Sequence, residues 1–280
     1  MFKKVLFILF FASICFVACS QSTQKANPAS DFEYELIWEG EIVKITKYIG
    51  ESKEVVIPKK INKKPVAFIE DWAFFRKQLT SVVISDSVDT IGIGAFAENQ
   101  LTSVVIGSSV KNIATGAFEK NQLTSIVIPD SVYFIHDNAF AKNRLTSVII
   151  GNSVGTIGEL AFYDNQLANV TIGNSVKNIG NAAFAANQLN NITIPNSVTR
   201  IGEYAFAANQ LDSITIPNSV IRIEINAFDE NQLTSVTLPI SLIHIGDRAF
   251  ARNQLTRVVI PSSVTYIGRN AFDYDVRIIK

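Results

Sequence analysis

Two cysteines and two histidines are all that this 280-residue chain carries. Both cysteines, Cys15 and Cys19, lie in the first nineteen positions. The rest of the chain therefore has no internal disulfide and no Cys-His cluster for zinc. Net charge is missing too, with 25 basic residues against 25 acidic ones. A nucleic-acid-binding domain normally carries a basic excess, so nucleic acid is excluded as the main partner. No glycine-rich phosphate loop appears. No apolar run reaches the ~20 residues that a membrane-spanning helix needs. What is plentiful is hydrophobic content, 48% of the chain, enough for a sizeable core.

The longest apolar run, Val5 to Ala18, follows Lys3 and Lys4. Its length and flanks suit the h-region of a secretory signal. It ends in FVAC followed by Ser20, which resembles a bacterial lipobox, with Phe16 where such boxes usually carry Leu. The resemblance implies cleavage before Cys19 and lipid attachment to its sulfur, with membrane contact made through that lipid. Removing Lys3 and Lys4 leaves 23 basic and 25 acidic residues, a net charge of −2, so the anchor would be lipid and not charge. Residues 20–31 are polar, without periodicity, and contain Pro28, which reads as a flexible tether. The expected organisation is a signal over 1–18, the lipidated cysteine and tether over 19–31, a cap hairpin and first strand over 32–57, and a repeat domain over 58–280.

The repeat is the strongest signal. Phe recurs every 22 residues from Phe74 to Phe272, each time preceded by Ala. Leu recurs from Leu79 to Leu255, Ser from Ser87 to Ser263 and Ile from Ile69 to Ile267, all at the same spacing. A fixed period of this length marks a solenoid, in the range of leucine-rich repeats. One coil reads L-T-S-V-V-I-P-x-S-V-x-x-I-G-x-x-A-F-x-x-N-Q. The β-branched run predicts a strand, closed by Pro or Gly. The arm SVxxIGxxAF is expected to return through irregular or 3-10-like turns. The fold class is thus a β-rich solenoid of 22-residue coils with one parallel sheet, about 45 Å long if nine or ten strands stack at ~4.8 Å.

Strand alternation assigns the faces. The Val82 and Ile84 columns point inward with the Leu79, Val88, Ile91 and Phe96 columns. The columns between point outward, and they supply the candidate partner-binding residues: Ser103 and Val105, Ser125 and Val127, Ser147 and Ile149, Asn169 and Thr171, Asn191 and Thr193, Ser213 and Thr215. This face is nearly free of charge, which suits a protein partner. Strand propensity alone would also place Val and Thr there. A further column is asparagine in eight successive coils: Asn99, Asn121, Asn143, Asn165, Asn187, Asn209, Asn231 and Asn253. Eight identical amides at a tight turn predict a structural ladder that satisfies the backbone of the neighbouring coil.

The coil resembles the leucine-rich repeats of BspA-like bacterial surface proteins, which carry the same I-P-x-S-V-x-x-I-G-x-x-A-F core. Two departures are uniform: Asn replaces the family's usual Cys, and the coil is one residue shorter. The resemblance runs from about Asp31 to Phe272. It implies a binding protein on a bacterial cell envelope, of the adhesin type, with host matrix or neighbouring-cell proteins as ligands. A periplasm-facing role with envelope partners is the alternative.

The chemistry expected of an enzyme does not assemble. His136 and His244 lie five coils apart, roughly 24 Å along the stack. The Ser87 column has no His or acid set beside it, and the Asp229-Glu230 pair occupies a slot that varies freely, as solvated loops do. No cofactor, metal or small-molecule substrate is expected. Pro58 to Pro65 interrupts the period with four lysines, either a solvated loop or a basic patch facing the membrane or glycans. Asp275 stands in the next Asn slot, and VRIIK is expected as a last short strand.

Overall fold

A computed structural model describes residues 25–280. The chain winds into a β-solenoid of 22-residue coils, so each residue column of the sequence becomes a column in space. Cys19 and the signal segment lie outside the described residues. Within them, no helix is long and apolar enough to cross a membrane.

Three interactions tie each coil to the next. The first is aromatic. The Phe rings of successive coils from Phe96 to Phe272 stack with centroids 5.3–5.5 Å apart and planes within 9°. Tyr48 extends the column at the N-terminal end, stacked on Phe74 at 5.3 Å. Offset stacking of this kind adds about 0.5–1.5 kcal/mol per pair beyond burial. The second is the backbone of the same arm, where each Phe N–H donates to the Ala carbonyl of the following coil, as Phe162 does to Ala183 at 2.8 Å.

The third is the asparagine column. Asn165 Nδ2 donates to Phe140 O of the previous coil at 3.0 Å and to Phe162 O and Tyr163 O of its own, while its Oδ1 accepts the N–H of Leu145 at 3.0 Å. The other seven repeat this pattern. Asn99 accepts from Leu79, Asn121 from Leu101 and Asn143 from Leu123. Asn187 accepts from Leu167, Asn209 from Leu189, Asn231 from Leu211 and Asn253 from Leu233. On the donor side Asn99 reaches Phe74 O, Asn121 Phe96 O, Asn143 Phe118 O and Asn187 Phe162 O. Asn209 reaches Phe184 O, Asn231 Phe206 O and Asn253 Phe228 O in the same way. Each rung thus runs from amide to backbone and not from amide to amide. Asn99, Asn121, Asn143, Asn165, Asn187, Asn209 and Asn231 are buried, and Asn253 is partly so.

Parallel pairing is divided differently from expectation. The expected strands form several short sheets: 54–56, 81–83 and 103–105; 125–128, 147–150 and 169–171; 213–215 with 235–237; 257–259 with 277–279. Residues 191–194 form no strand. In several other coils a threonine hydroxyl reaches back to the preceding coil, as Thr146 Oγ1 does to Thr124 O, but the flanking coils carry Ala168 and Asp212 in that slot and still form the strand. What sets Asn190 apart is that its side-chain oxygen is taken by Asn191 Nδ2, a local bond that competes with the ladder. The continuous sheet lies instead in the return arm. Two-residue strands from Thr90–Ile91 to Tyr266–Ile267 pair in parallel, in register, with every Ile on Ile. The rest of the arm is turns and not 3-10 helix. Two residues per coil adopt positive φ, for example Leu160 at 57° and Asp164 at 55° flanking Phe162. A left-handed residue at each turn breaks any helical run, at about 1–2 kcal/mol each for a non-glycine.

The N-terminal cap is an antiparallel hairpin, Phe32–Ile37 with Ile42–Tyr48. It turns through Trp38, Glu39 and Gly40, all at positive φ. Its second strand pairs in parallel with Lys64–Ile69, which starts the continuous ladder. The end of the expected tether is fixed to this cap: Asn27 exchanges two hydrogen bonds with Val56, and Asp31 O accepts from Ile49 and Gly50. The lysine insertion folds into a small hairpin, Lys60–Ile61 against Lys64–Pro65. Lys59 pairs with Asp86 and Lys64 with Glu41, so half its charge is neutralised. At the other end the strand Arg277–Ile279 forms as expected, but Asp275 is exposed and makes no rung. Asp273 serves there, accepting the N–H groups of Arg252 and Asn253.

Asn165→Ala should cost about 1–3 kcal/mol, because it orphans the buried Leu145 N–H, while the Phe140 carbonyl keeps its bond from Asn143 Nδ2. Phe162→Ala should cost about 3–5 kcal/mol through the cavity it leaves in the stack. Denaturant unfolding, with exposed Gln166→Ala as the control within about 0.5 kcal/mol, checks both.

Candidate functional site

A solenoid that spends its Asn, Phe, Leu and Ile columns on stacking has only its outward columns left for a partner. The eight asparagines from Asn99 to Asn253 are bonded to backbone on both sides and present no free amide to a ligand. The expected strand face is partly available. Ser125, Val127, Asn169, Thr171, Asn191, Thr193, Ser213 and Thr215 are exposed. Ser103, Val105 and Ile149 are half-buried, and Ser147 is buried at 5% exposure, which removes it from the set. The inward assignment holds for Ile126, Val148, Ile214 and Val258, but Val104, Val170, Ile192 and Val236 are only partly buried against the core.

The continuous ladder supplies a second exposed face, which the sequence reading left inside an irregular arm. Its outward column reads Thr90, Asn112, Phe134, Thr156, Asn178, Arg200, Arg222, His244 and Tyr266. The column is chemically varied where the strand face is uniform. With two-residue strands, period-2 alternation has no length in which to show itself, so only the alternation of a variable residue with the invariant Ile could have signalled it.

The two histidines sit on or beside this ladder, five coils apart. His136 Nε2 lies 2.7 Å from Asn112 Oδ1. His244 stacks on Tyr266 with centroids 4.6 Å apart and planes at 8°. Burial, reinforced by repulsion from Arg222, holds its imidazole below the usual histidine range. Neither is joined to a nucleophile. Among the described residues, no cluster of three His, Cys, Asp or Glu side chains could hold a metal.

One charged cluster departs from expectation. Asp229 is 1% exposed and not a solvated loop residue. Its carboxylate is held by Arg252, Asn226 and the Glu230 N–H, while Arg252 also reaches Glu230. Every partner in the cluster is satisfied, which is how a buried charge survives in place of the usual alanine. Elsewhere, Glu98 bridges Arg76 and Lys120 of the adjoining coils, and those two bonds hold its carboxyl below the usual range. These are coil-to-coil braces, not a reactive constellation. The Ser87 column is structural as well, since Ser131 and Ser219 donate to the preceding coil's Val110 and Val198 carbonyls.

The two strand columns separate cleanly at one coil. Ile214→Arg should disrupt the fold, since it places a charge in a core position 3% exposed, whereas Thr215→Arg should change stability by about 0.5 kcal/mol or less. Circular dichroism with denaturant unfolding measures both; equal damage would overturn the face assignment.

The comparisons agree with this geometry. The family model for the BspA type leucine rich repeat region matches residues 67–190 and 155–279, in six copies. A leucine rich cell surface protein from Faecalibacterium prausnitzii is similar in structure, with 28% identity and a TM-score of 0.60, over 90% of this chain and 87% of its own. The pneumococcal vaccine antigen PcpA shares the fold, with 19% identity and a TM-score of 0.53, over 89% of this chain and 78% of its own. No curated protein matches the chain. With a common 22-residue coil, stacked Phe and Ile columns and a matching family model over most of its length, the chain belongs to the BspA-type leucine-rich repeat family.

Proposed function

We propose that the chain is a lipid-anchored, non-enzymatic binding protein of a bacterial cell envelope, of the adhesin type, whose solenoid presents a broad surface to protein ligands. The single observation that carries the reading is the division of labour among the columns. The repeated Asn, Phe, Leu and Ile columns are used for stacking, and what the strand face turns outward is a wide, nearly uncharged field of Ser, Thr, Asn and Val. Such a field has no chemistry of its own, but small contacts from many coils add up over its length. Membership of the BspA-type family supports the same reading, as does the similar Faecalibacterium protein described as a cell surface protein. Host matrix or neighbouring-cell proteins are the expected ligands. Cys19 is the proposed point of lipid attachment, and the short segment between it and Asn27 spaces the domain from the bilayer.

Two measurements test this. Growth with a labelled fatty acid should label the protein, and Cys19→Ser should abolish the label. Protease added to intact cells should then destroy the domain while a periplasmic marker survives. Protection until the outer membrane is breached would end the adhesin reading and favour a periplasmic assembly role.

A further inference from the structure

The coils from Lys177 to Tyr266 break the repeat in one direction: they place aliphatic, aromatic and cationic side chains on the surface of the continuous ladder. Ile221 and Ile243 precede adjacent strands and are 48% and 41% exposed, in a column that from Asp89 on holds no other aliphatic side chain and reads Asp89, Lys111, Tyr133, Gly155, Lys177, Thr199 and Thr265 elsewhere. Ile240, in a turn slot that is otherwise Asp, Asn or Ser, is 81% exposed. Stacking requires none of these, because other coils form the same ladder without them. Beside the isoleucines run Arg200, Arg222, His244 and Tyr266 on consecutive strands, in register. Two guanidinium groups thus stand one strand apart, and like charges in adjacent positions destabilise a sheet. Glu224 relieves Arg222 at 3.2 Å. Among the described residues, Arg200 and Lys177 make no ion pair. Asp247, on the far side of the turn, accepts the Arg269 N–H. The His244–Tyr266 stack closes the row with a flat aromatic platform.

We infer that this patch is a second interaction surface, separate from the strand face, and that it takes an extended protein segment combining carboxylates with aliphatic side chains. The charge complement follows from Lys177, Arg200 and Arg222. The apolar complement follows from Ile221, Ile243 and Tyr266, and exposed Arg and Tyr beside aliphatic surface are the residue types that dominate interface energies. The row from Arg200 to Tyr266 spans three strand gaps, about 14 Å, which four or five residues of an extended chain would cover.

The test uses the folded repeat domain and a short fluorescein-labelled peptide that alternates glutamate and leucine, read by fluorescence anisotropy. Binding is expected, and added salt should weaken it. The counterpart with lysine for glutamate should not bind, and the one with serine for leucine should bind at least about tenfold more weakly. Arg200→Glu with Arg222→Glu, and separately Ile221→Ser with Ile243→Ser, should each cost at least about tenfold. The Lys replacements at 200 and 222 should retain most of the affinity, and Thr215→Arg on the strand face should leave it unchanged. All the replaced side chains are exposed, and matched circular dichroism confirms that the variants fold. No binding of the glutamate–leucine peptide would overturn the inference, as would equal binding of either counterpart or unchanged affinity in the double charge reversal.

Discussion

Everything in this molecule depends on how a 22-residue coil with almost no regular secondary structure satisfies its backbone. A helix pairs its own amides; these coils cannot, and each must find its partners in the next coil. The asparagine column solves the hardest part. At the turn between the Phe arm and the strand, buried carbonyls of two coils converge and a leucine N–H points into the gap, and one amide side chain supplies two donors and one acceptor there. No apolar residue could replace it without orphaning the leucine N–H, and a charged one would be buried at high cost. Once the amide fixes the spacing, the Phe rings above and the Ile ladder beside it stack with their own kind.

This explains why so little of the surface is specified by folding. A nearest-neighbour stack has its stability written in repeat units and interfaces, and each outward position is free to vary. The strand face stays uniform because Ser, Thr and Val suit a pleated edge. The continuous ladder varies because its outward residue sits on a two-residue strand already held by Ile on both sides. Variation is where specificity can be built, and in the coils from Lys177 to Tyr266 it takes a consistent chemical direction.

The period made the coil, the core columns and the role of asparagine legible from the sequence, because each is repeated eight to ten times. The parts that escaped were those without a periodic sign. Two-residue strands are too short to alternate, so the longest ladder read as irregular arm. The left-handed turn residues carry Leu160, Ala182 or Tyr204 as readily as Gly94, so no glycine pattern revealed them. Asp229 looked like loop because its slot varies, and only the side chain of Arg252 from the next coil makes it a core residue. Ser147 could not be told from Ser125 by pattern, although one is buried and the other exposed.

The central claim is that the asparagine amides, one per coil, hold the leucine N–H groups and so set the stack. Amide hydrogen exchange at the leucine column tests it most directly. Leu145, Leu167 and Leu189 donate to Asn165, Asn187 and Asn209 of the next coil, whereas Leu255 has only exposed Asp275 in the corresponding place. The account predicts that the first three exchange only through global opening and that Leu255, buried like them, exchanges much faster. Equal protection at Leu255 and Leu167, or rapid exchange at Leu167, would contradict it.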